Sequence, residues 1–214
     1  MSCMCGGQWY EKCRFSHMLE RLCKTPLILV TLFSLILWTF LLPPITLSQE
    51  NPTTWEVCFS PYRECTSAII KELNKAKISV SVQAYSFTSD PIAEALRDAF
   101  YRGVKVEVIL DKREKTQKSS KATFFFNAGI PTRIDAHHKA AHDKMMVIDG
   151  ETVITGSFNF TNAAEEKNAE NLLIIHDRKL AEKYVKNWQE HAKHSDVYVG
   201  NGARTKASGL AITQ

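Results

Sequence analysis

The chain has 214 residues, of which 44% are hydrophobic and 23% are charged, a composition typical of a globular protein. This excludes wholesale disorder, collagen-like repeats and a multi-span membrane protein, and the length fits one domain with an appendage. Lys and Arg outnumber Asp and Glu by 27 to 23, an excess that permits a polyanionic partner without requiring one.

An uncharged apolar segment runs from Leu27 to Leu42 and is followed by two prolines. Basic residues precede it, and its sixteen residues would form a helix of roughly 24 Å, shorter than the ~30 Å hydrocarbon core of a membrane. We predict that residues 1–48 are a signal peptide, with Met18 as an alternative translation start and Gln49 as the first mature residue. The protein is then exported, either periplasmic or secreted. The alternative is an uncleaved membrane anchor at residues 27–42, and a membrane contact is expected only in that case.

Two of the six cysteines, Cys58 and Cys65, lie outside this leader. In an exported chain a local disulfide between them is one expectation, and two buried thiols are the other.

Strand and helix patterns alternate over the rest of the chain. Helices are predicted from Ser60-Pro61, from Asp90-Pro91 to Gly103, over Lys115–Ala128, and along an amphipathic stretch from Leu180 to Trp188. The predicted strands are Trp55–Phe59, Ile78–Tyr85, Val104–Leu110, Thr132–Asp135, Met145–Ile148, Thr152–Thr155 and Leu172–Ile175. Asp149-Gly150 predicts a hairpin turn between two of them. We therefore predict an α/β fold over residues 49–195, with a mixed, mostly parallel sheet and helices on both faces, followed by a loose tail at 196–214.

The chemistry is predicted from one of three His-x-Lys triplets, His142 to Lys144. It alone has an aspartate, Asp149, seven positions after its histidine. Gly156-Ser157-Phe158-Asn159 and then Glu170 follow. His142 and Lys144 are two apart at a strand edge and so project to one face, and the next two segments return to the same end of the sheet.

Those residue types suit attack on a phosphodiester. A neutral imidazole can attack phosphorus while an ammonium and an amide neutralise and hydrogen-bond the non-bridging oxygens. A carboxylate at Glu170 could accept from one ring nitrogen of His142 and aim the other.

The pattern His142-x-Lys144-x4-Asp149-x6-Gly156-Ser157-x-Asn159 resembles the HKD signature of the phospholipase D superfamily. The run from His142 to Asn171 is similar to the small bacterial endonucleases that carry one such motif per chain and resist EDTA. VCFSP, AYSFTSDPIAEALRDA and RGVKVEVILD extend the resemblance, which spans about Glu56 to Trp188.

The resemblance implies a metal-independent phosphodiesterase with no cofactor that acts through a covalent phosphohistidine. It implies His142 as nucleophile, Lys144 and Asn159 as phosphate-binding residues, Ser157 as support of the pocket and Glu170 as the residue that orients His142. Asp149 belongs to the predicted catalytic set with the least certain role, because in this family it tends to be structural.

Family chemistry needs two HKD motifs, so a single motif implies a homodimer with a shared site. The substrate is expected to be nucleic acid, DNA with RNA as the alternative. A lipid phosphodiester is the rival substrate, and a non-catalytic nucleic-acid-binding protein is the rival of another class.

Two further groups leave alternatives open. The basic run Lys112, Arg113, Lys115, Lys118 and Lys121 is either a solvated face or a track for a nucleic-acid backbone. His137, His138 and His142 could form a metal cluster, but they lie on a loop without fixed spacing. A surface role or loose phosphate contact is favoured for His137 and His138.

Overall fold

The computed structural model describes residues 52–61 and 64–200. The predicted leader, its apolar segment, both possible start methionines and residues 201–214 lie outside the described residues. Within the described ranges, no helix combines the length and the apolar character needed to cross a membrane.

Eight strands form one sheet in the order β1-β7-β6-β5-β2-β3-β4-β8. The strands are β1 (Thr54–Ser60), β2 (Ser79–Ala84), β3 (Lys105–Asp111), β4 (Thr132–Asp135), β5 (Lys144–Ile148), β6 (Thr152–Gly156), β7 (Glu170–His176) and β8 (Asp196–Val197). All seven strands predicted from the sequence are present, with no end shifted by more than two residues.

The helices are α1 (Cys65–Lys75), α2 (Asp90–Tyr101), α3 (Ala122–Asn127), α4 (Asn162–Glu166) and α5 (Arg178–His194), with a short 3-10 helix at Lys112–Lys115. They lie over two apolar clusters on opposite faces of the sheet. Along β5, Met146 and Ile148 belong to the larger cluster, whereas Met145 and Val147 join Trp188 of α5 in the smaller one. The predicted α/β fold is thus confirmed.

The prediction of a mostly parallel sheet is wrong in its proportion. Among the described residues, two strand pairs are parallel, β2–β3 and β3–β4, and five are antiparallel. Parallel neighbours need a crossover connection, which α2 and α3 provide. The Asp149-Gly150 hairpin joins β5 to β6, and β7 returns antiparallel to both β6 and β1, so the other side of the sheet is antiparallel.

Two predicted helices differ from the observed ones. The first begins at Cys65, not at Ser60, because Ser60 stays in β1 opposite Glu170 and its hydroxyl donates to the carbonyl of Asn168 at 3.1 Å. The helix predicted over Lys115–Ala128 is broken into the 3-10 helix and α3. Ser120 lies between them and accepts from the Ala122 N–H at 3.1 Å, in the manner of serines that compete with helical hydrogen bonds.

The first and last parts of the described domain are also held in place by specific contacts. Cys58 and Cys65 form a disulfide with their Cα atoms 5.6 Å apart, as one of the two expectations had it. The segment predicted as a loose tail begins instead with β8, which pairs with β4, and Tyr198 is buried behind it.

Candidate active site

The predicted catalytic residues lie together at one end of the strands β2, β5, β6 and β7. We call this end of the sheet the active edge. The strand register places Ala84, the last residue of β2, opposite Lys144, the first residue of β5. The end of β6 lies beside them, since Met145 pairs with Thr155, and β7 begins next to that end with Glu170. Residues 142, 144, 157, 159 and 170 therefore belong to one edge, as predicted.

His142 and Lys144 are in direct contact. The ammonium of Lys144 lies 3.1 Å from Nδ1 of His142 and donates to the His142 carbonyl at 2.8 Å. Lys144 is buried, with 8% of its surface exposed, whereas His142 is exposed. Burial lowers the pKa of Lys144 below its ordinary value, and the nearby carboxylates of Asp143 and Glu170 oppose that shift. An accessible imidazole thus lies beside a partly desolvated ammonium group.

Tyr85 and Arg113 complete this side of the edge, and sequence reasoning did not assign them there. The Tyr85 ring lies 4.2 Å from the His142 ring, between centroids. The Arg113 guanidinium lies over the same tyrosine ring at 4.3 Å, and the Lys144 ammonium lies 5.0 Å from it. The available signal was positional: Tyr85 directly follows β2, and Arg113 follows the end of β3 by two residues.

Ser157 and Glu170 form the opposite side. The Ser157 hydroxyl donates to the Glu170 carboxylate at 2.5 Å, and the Asn168 amide donates to the other oxygen at 3.1 Å. The expected hydrogen bond from His142 to Glu170 is not among the contacts of the described residues. Within one chain Glu170 acts on Ser157 and, through its charge, on Lys144, so its orienting role stays a prediction.

Asn159 places a buried side-chain oxygen at this edge. That oxygen has no hydrogen-bond partner among the described residues, an arrangement that is costly unless a ligand supplies one. An amide oxygen accepts hydrogen bonds, so only the side-chain NH2 of Asn159 could donate to a phosphate oxygen, and its phosphate-binding role stays a prediction.

A glycine is required at position 156 because two strands of the chain approach closely there. It has a φ of +142°, and a Cβ there would lie 2.3 Å from the carbonyl oxygen of Asn171. The glycine of the motif lets the β6 end pass tightly against β7, and so sets where Ser157 and Asn159 emerge.

Asp149 lies away from the other residues of the predicted catalytic set. It follows the far end of β5, and the five-residue strand separates it from the edge by roughly 17 Å. Its carboxylate accepts from the backbone N–H groups of Lys77, Ile78 and Ser79 at 3.0, 2.8 and 2.9 Å. Asp149 holds the start of β2 against the β5–β6 turn, and is structural.

The residues of the basic run have different partners in the structure. Arg113 reaches the edge, while Lys121 pairs with Asp90 at 2.5 Å and Lys112 donates to the His138 carbonyl at 2.9 Å. Arg113 is the member of the run that adds to the site, and the track for a nucleic-acid backbone stays a prediction. His137 and His138 lie away from His142, in a different cluster.

This edge is that of a phosphodiesterase site, because it holds an accessible imidazole with cations beside it for the non-bridging oxygens. The family model of the cardiolipin synthase, PLD-like domain, matches residues 69–192. The phospholipase D of Rickettsia typhi is 43% identical over 152 residues, which are 71% of this chain and 73% of that protein. The mitochondrial cardiolipin hydrolase of Xenopus tropicalis is 30% identical over 155 residues, covering 69% of this chain and 74% of that protein.

Among solved structures, the fold matches Nuc, a phospholipase D family member from Salmonella typhimurium. The TM-score is 0.67 and the identity is 38%, over 69% of this chain and 99% of Nuc. The chain belongs to the phospholipase D superfamily, and it is a phosphodiesterase of that superfamily.

Proposed function

We propose that this protein is a metal-independent endonuclease that cleaves phosphodiester bonds of DNA, with RNA as the alternative substrate, and with little sequence preference. The observation that carries the proposal is the exposed His142 ring between Lys144 and the Tyr85–Arg113 pair. Cations and an aromatic ring beside an open nucleophile suit a sequence-blind contact with a nucleic-acid backbone.

The reaction proceeds in two balanced steps. An unprotonated ring nitrogen of His142 attacks phosphorus, and the bond from phosphorus to the leaving oxygen breaks. A protonated imidazole of a second chain gives its proton to that oxygen. Water then attacks the phosphohistidine, the second imidazole takes the water proton, and the phosphorus–nitrogen bond breaks. Lys144 and Asn159 bind the non-bridging oxygens as their charge grows.

The second imidazole comes from another copy of this chain. An apolar patch on the sheet supports this assembly: Trp55, Val57 and Phe59 of β1 are 68%, 40% and 55% exposed. They alternate along the strand and so share one face, and β7 extends that face because Val57 pairs with Leu173 and Trp55 with Ile175. We name these five residues the β1–β7 patch. It lies on the strand that begins with Glu170, so a copy seated there approaches the active edge.

A lipid phosphodiester is the second candidate substrate. It is favoured by the names of the relatives, phospholipase D and cardiolipin hydrolase, and by the apolar segment at residues 27–42. The same His142 chemistry would serve either substrate, so assays must separate them. We also infer that residues 1–48 direct export, which the Cys58–Cys65 disulfide supports because disulfides persist in oxidising compartments.

The test is cleavage of plasmid DNA by the purified full-length chain in excess EDTA, with the wild type beside His142→Ala. Parallel samples contain vesicles of phosphatidylcholine or cardiolipin. We expect the wild type to cut DNA and His142→Ala to bind DNA without cutting it, with a loss of at least about 10³-fold. His137→Ala, which changes an exposed histidine outside the site, is the matched control. If the protein hydrolyses lipid and does not cleave DNA, the second candidate function is the correct one.

A further inference from the structure

A second cluster of chemically active side chains lies away from His142. Asp135 ends β4, and His138 follows three residues later on the loop toward β5. His191 and His194 are one turn apart near the end of α5, so they project from the same helix face. The fold thus brings together two pairs of residues that are more than 50 positions apart in the chain.

The four side chains converge on a single point. Oδ2 of Asp135 lies 2.7 Å from Nδ1 of His191, 3.1 Å from Nδ1 of His138 and 3.3 Å from Nε2 of His194. One ligand atom from each residue lies within 4.8 Å of all the others. Ligand atoms of a tetrahedral zinc ion, at 2.0–2.2 Å from the metal, lie about 3.3 Å from one another. The three distances from Oδ2 are near that value, whereas the 4.8 Å bound on the other pairs is wider, so a bound ion would draw the imidazoles closer together.

Hydrogen bonding alone accounts poorly for this arrangement. A carboxylate oxygen has two lone pairs, yet three imidazole nitrogens face Oδ2. The rings of His138, His191 and His194 also lie 4.9–5.3 Å from one another, between centroids. The three rings therefore form a compact cluster around the same carboxylate oxygen.

The surroundings are those of a metal site as well. Asp135 is fully buried, and its other oxygen accepts from the His137 N–H at 3.0 Å, which holds the carboxylate in place. His191 has only 14% of its side chain exposed, whereas His138, at 42%, leaves an entry path.

We propose that Asp135, His138, His191 and His194 bind one Zn²⁺ ion. Three imidazoles and one carboxylate in tetrahedral arrangement suit Zn²⁺, and four protein ligands make the site closed and structural. The ion ties the last turns of α5 to the loop 136–143, which also carries His142. It stabilises the platform of the active site and takes no part in the chemistry.

Zinc content and affinity test the site directly. The full-length chain is prepared with serine at four cysteines outside the cluster, so that any zinc reports the histidines; they are Cys3, Cys5, Cys13 and Cys23. The metal is removed with a chelator, and ZnCl2 is returned against a chromophoric competitor. We expect one Zn²⁺ per chain, and a rise in Tm of roughly 5–10 °C at free Zn²⁺ about 100 times the Kd.

The variants decide between a metal site and a hydrogen-bonded cluster. His138→Ala, at the most exposed ligand, should weaken Zn²⁺ binding at least about 10-fold, and His138→Cys should restore it because thiolate is also a zinc ligand. His137→Ala is the matched control, since its ring packs 4.7 Å from that of His194 but supplies no ligand atom. His142→Ala should keep its zinc.

The zinc proposal and the nuclease proposal can fail separately. A negative nuclease assay does not contradict zinc binding, and a negative zinc assay does not contradict the nuclease activity. Zinc binding that is absent, or equal in His138→Ala and the wild type, would overturn the zinc proposal.

Discussion

The ammonium of Lys144 lies 3.1 Å from Nδ1 of His142 and is anchored to the carbonyl of the same histidine. The two functional groups of the motif are therefore held as a unit before any substrate arrives. A phosphate attacked by the imidazole must also meet the ammonium, which is the preorganisation that electrostatic catalysis requires.

Replacing Lys144 should reduce the rate of cleavage without reducing the stability of the fold. Lys144→Met removes the cation, and we expect phosphodiester cleavage to fall by about 10²–10³-fold, the usual cost of losing one donor to a developing oxyanion. The measurement is single-turnover cleavage of a labelled duplex. Lys139→Met, at an exposed lysine three residues before the motif histidine, should cleave at the wild-type rate.

The pH dependence of stability should change in the same variant. The folded-state pKa of Lys144 is below its ordinary value of 10.5, because burial penalises the charge. Below the folded-state pKa both states are protonated, and the folded state bears the full cost of burying the charge. As pH rises through the folded pKa, the unfolded state binds more protons than the folded one, so this residue's contribution to stability increases with pH up to about 10.5.

Urea denaturation at neutral and alkaline pH checks this sign. The wild type should lose less stability on the alkaline side than Lys144→Met, and the variant should be at least as stable as the wild type at pH 7. A variant that is clearly less stable at pH 7 would contradict the reading of Lys144 as a buried, penalised cation.

Arg113 should contribute to substrate binding more than to the chemical step. Arg113→Ala should raise KM for duplex DNA and reduce the salt slope of binding, log K against log[salt], by about 1, the effect of one phosphate contact. Binding titrations over a range of NaCl concentrations measure the slope. Lys105→Ala removes an equal charge at the opposite end of β3 and should leave the slope unchanged.

Asp149 should be a stability residue. Asp149→Ala leaves three backbone N–H groups without their acceptor, and we expect a loss of about 1–3 kcal/mol in the free energy of unfolding. Chemical denaturation gives that number, and Glu151→Gln, two residues along and exposed, is the control. Activity per folded molecule should stay close to wild type; a loss of activity in a fully folded variant would return Asp149 to the catalytic set.

The β1–β7 patch should control assembly. Trp55→Glu places a charge on an exposed apolar strand, and we expect a shift from dimer to monomer in size-exclusion chromatography with light scattering. Nuclease activity should fall with the dimer, since each shared site needs two imidazoles. Tyr101→Glu, at an aromatic residue 66% exposed on α2, should remain dimeric. An active monomer would refute the shared site.

Much of this fold is readable from local patterns. The strands from Ile78 to Ile175 follow from runs of β-branched and apolar residues, and the Asp149-Gly150 turn marks the one hairpin. The proportion of antiparallel pairs is not local, because it depends on which strand each edge meets. Ser60-Pro61 shows the same limit: its helix-start chemistry is outweighed by the pairing of Ser60 with Glu170 across β1 and β7.

The sequence by itself determined which motif residues meet, because spacing places His142, Lys144, Ser157, Asn159 and Glu170 on segments that end at one edge of the sheet. It could not determine the neighbours that come from other segments. Tyr85 reaches His142, and Arg113 reaches Tyr85, only through the pairing of β2 with β5 and β3. Asp135 meets His191 and His194 only because α5 packs back across the sheet. Side-chain periodicity carries information over a turn or a strand, whereas contacts between distant segments are decided by the packing of the whole domain.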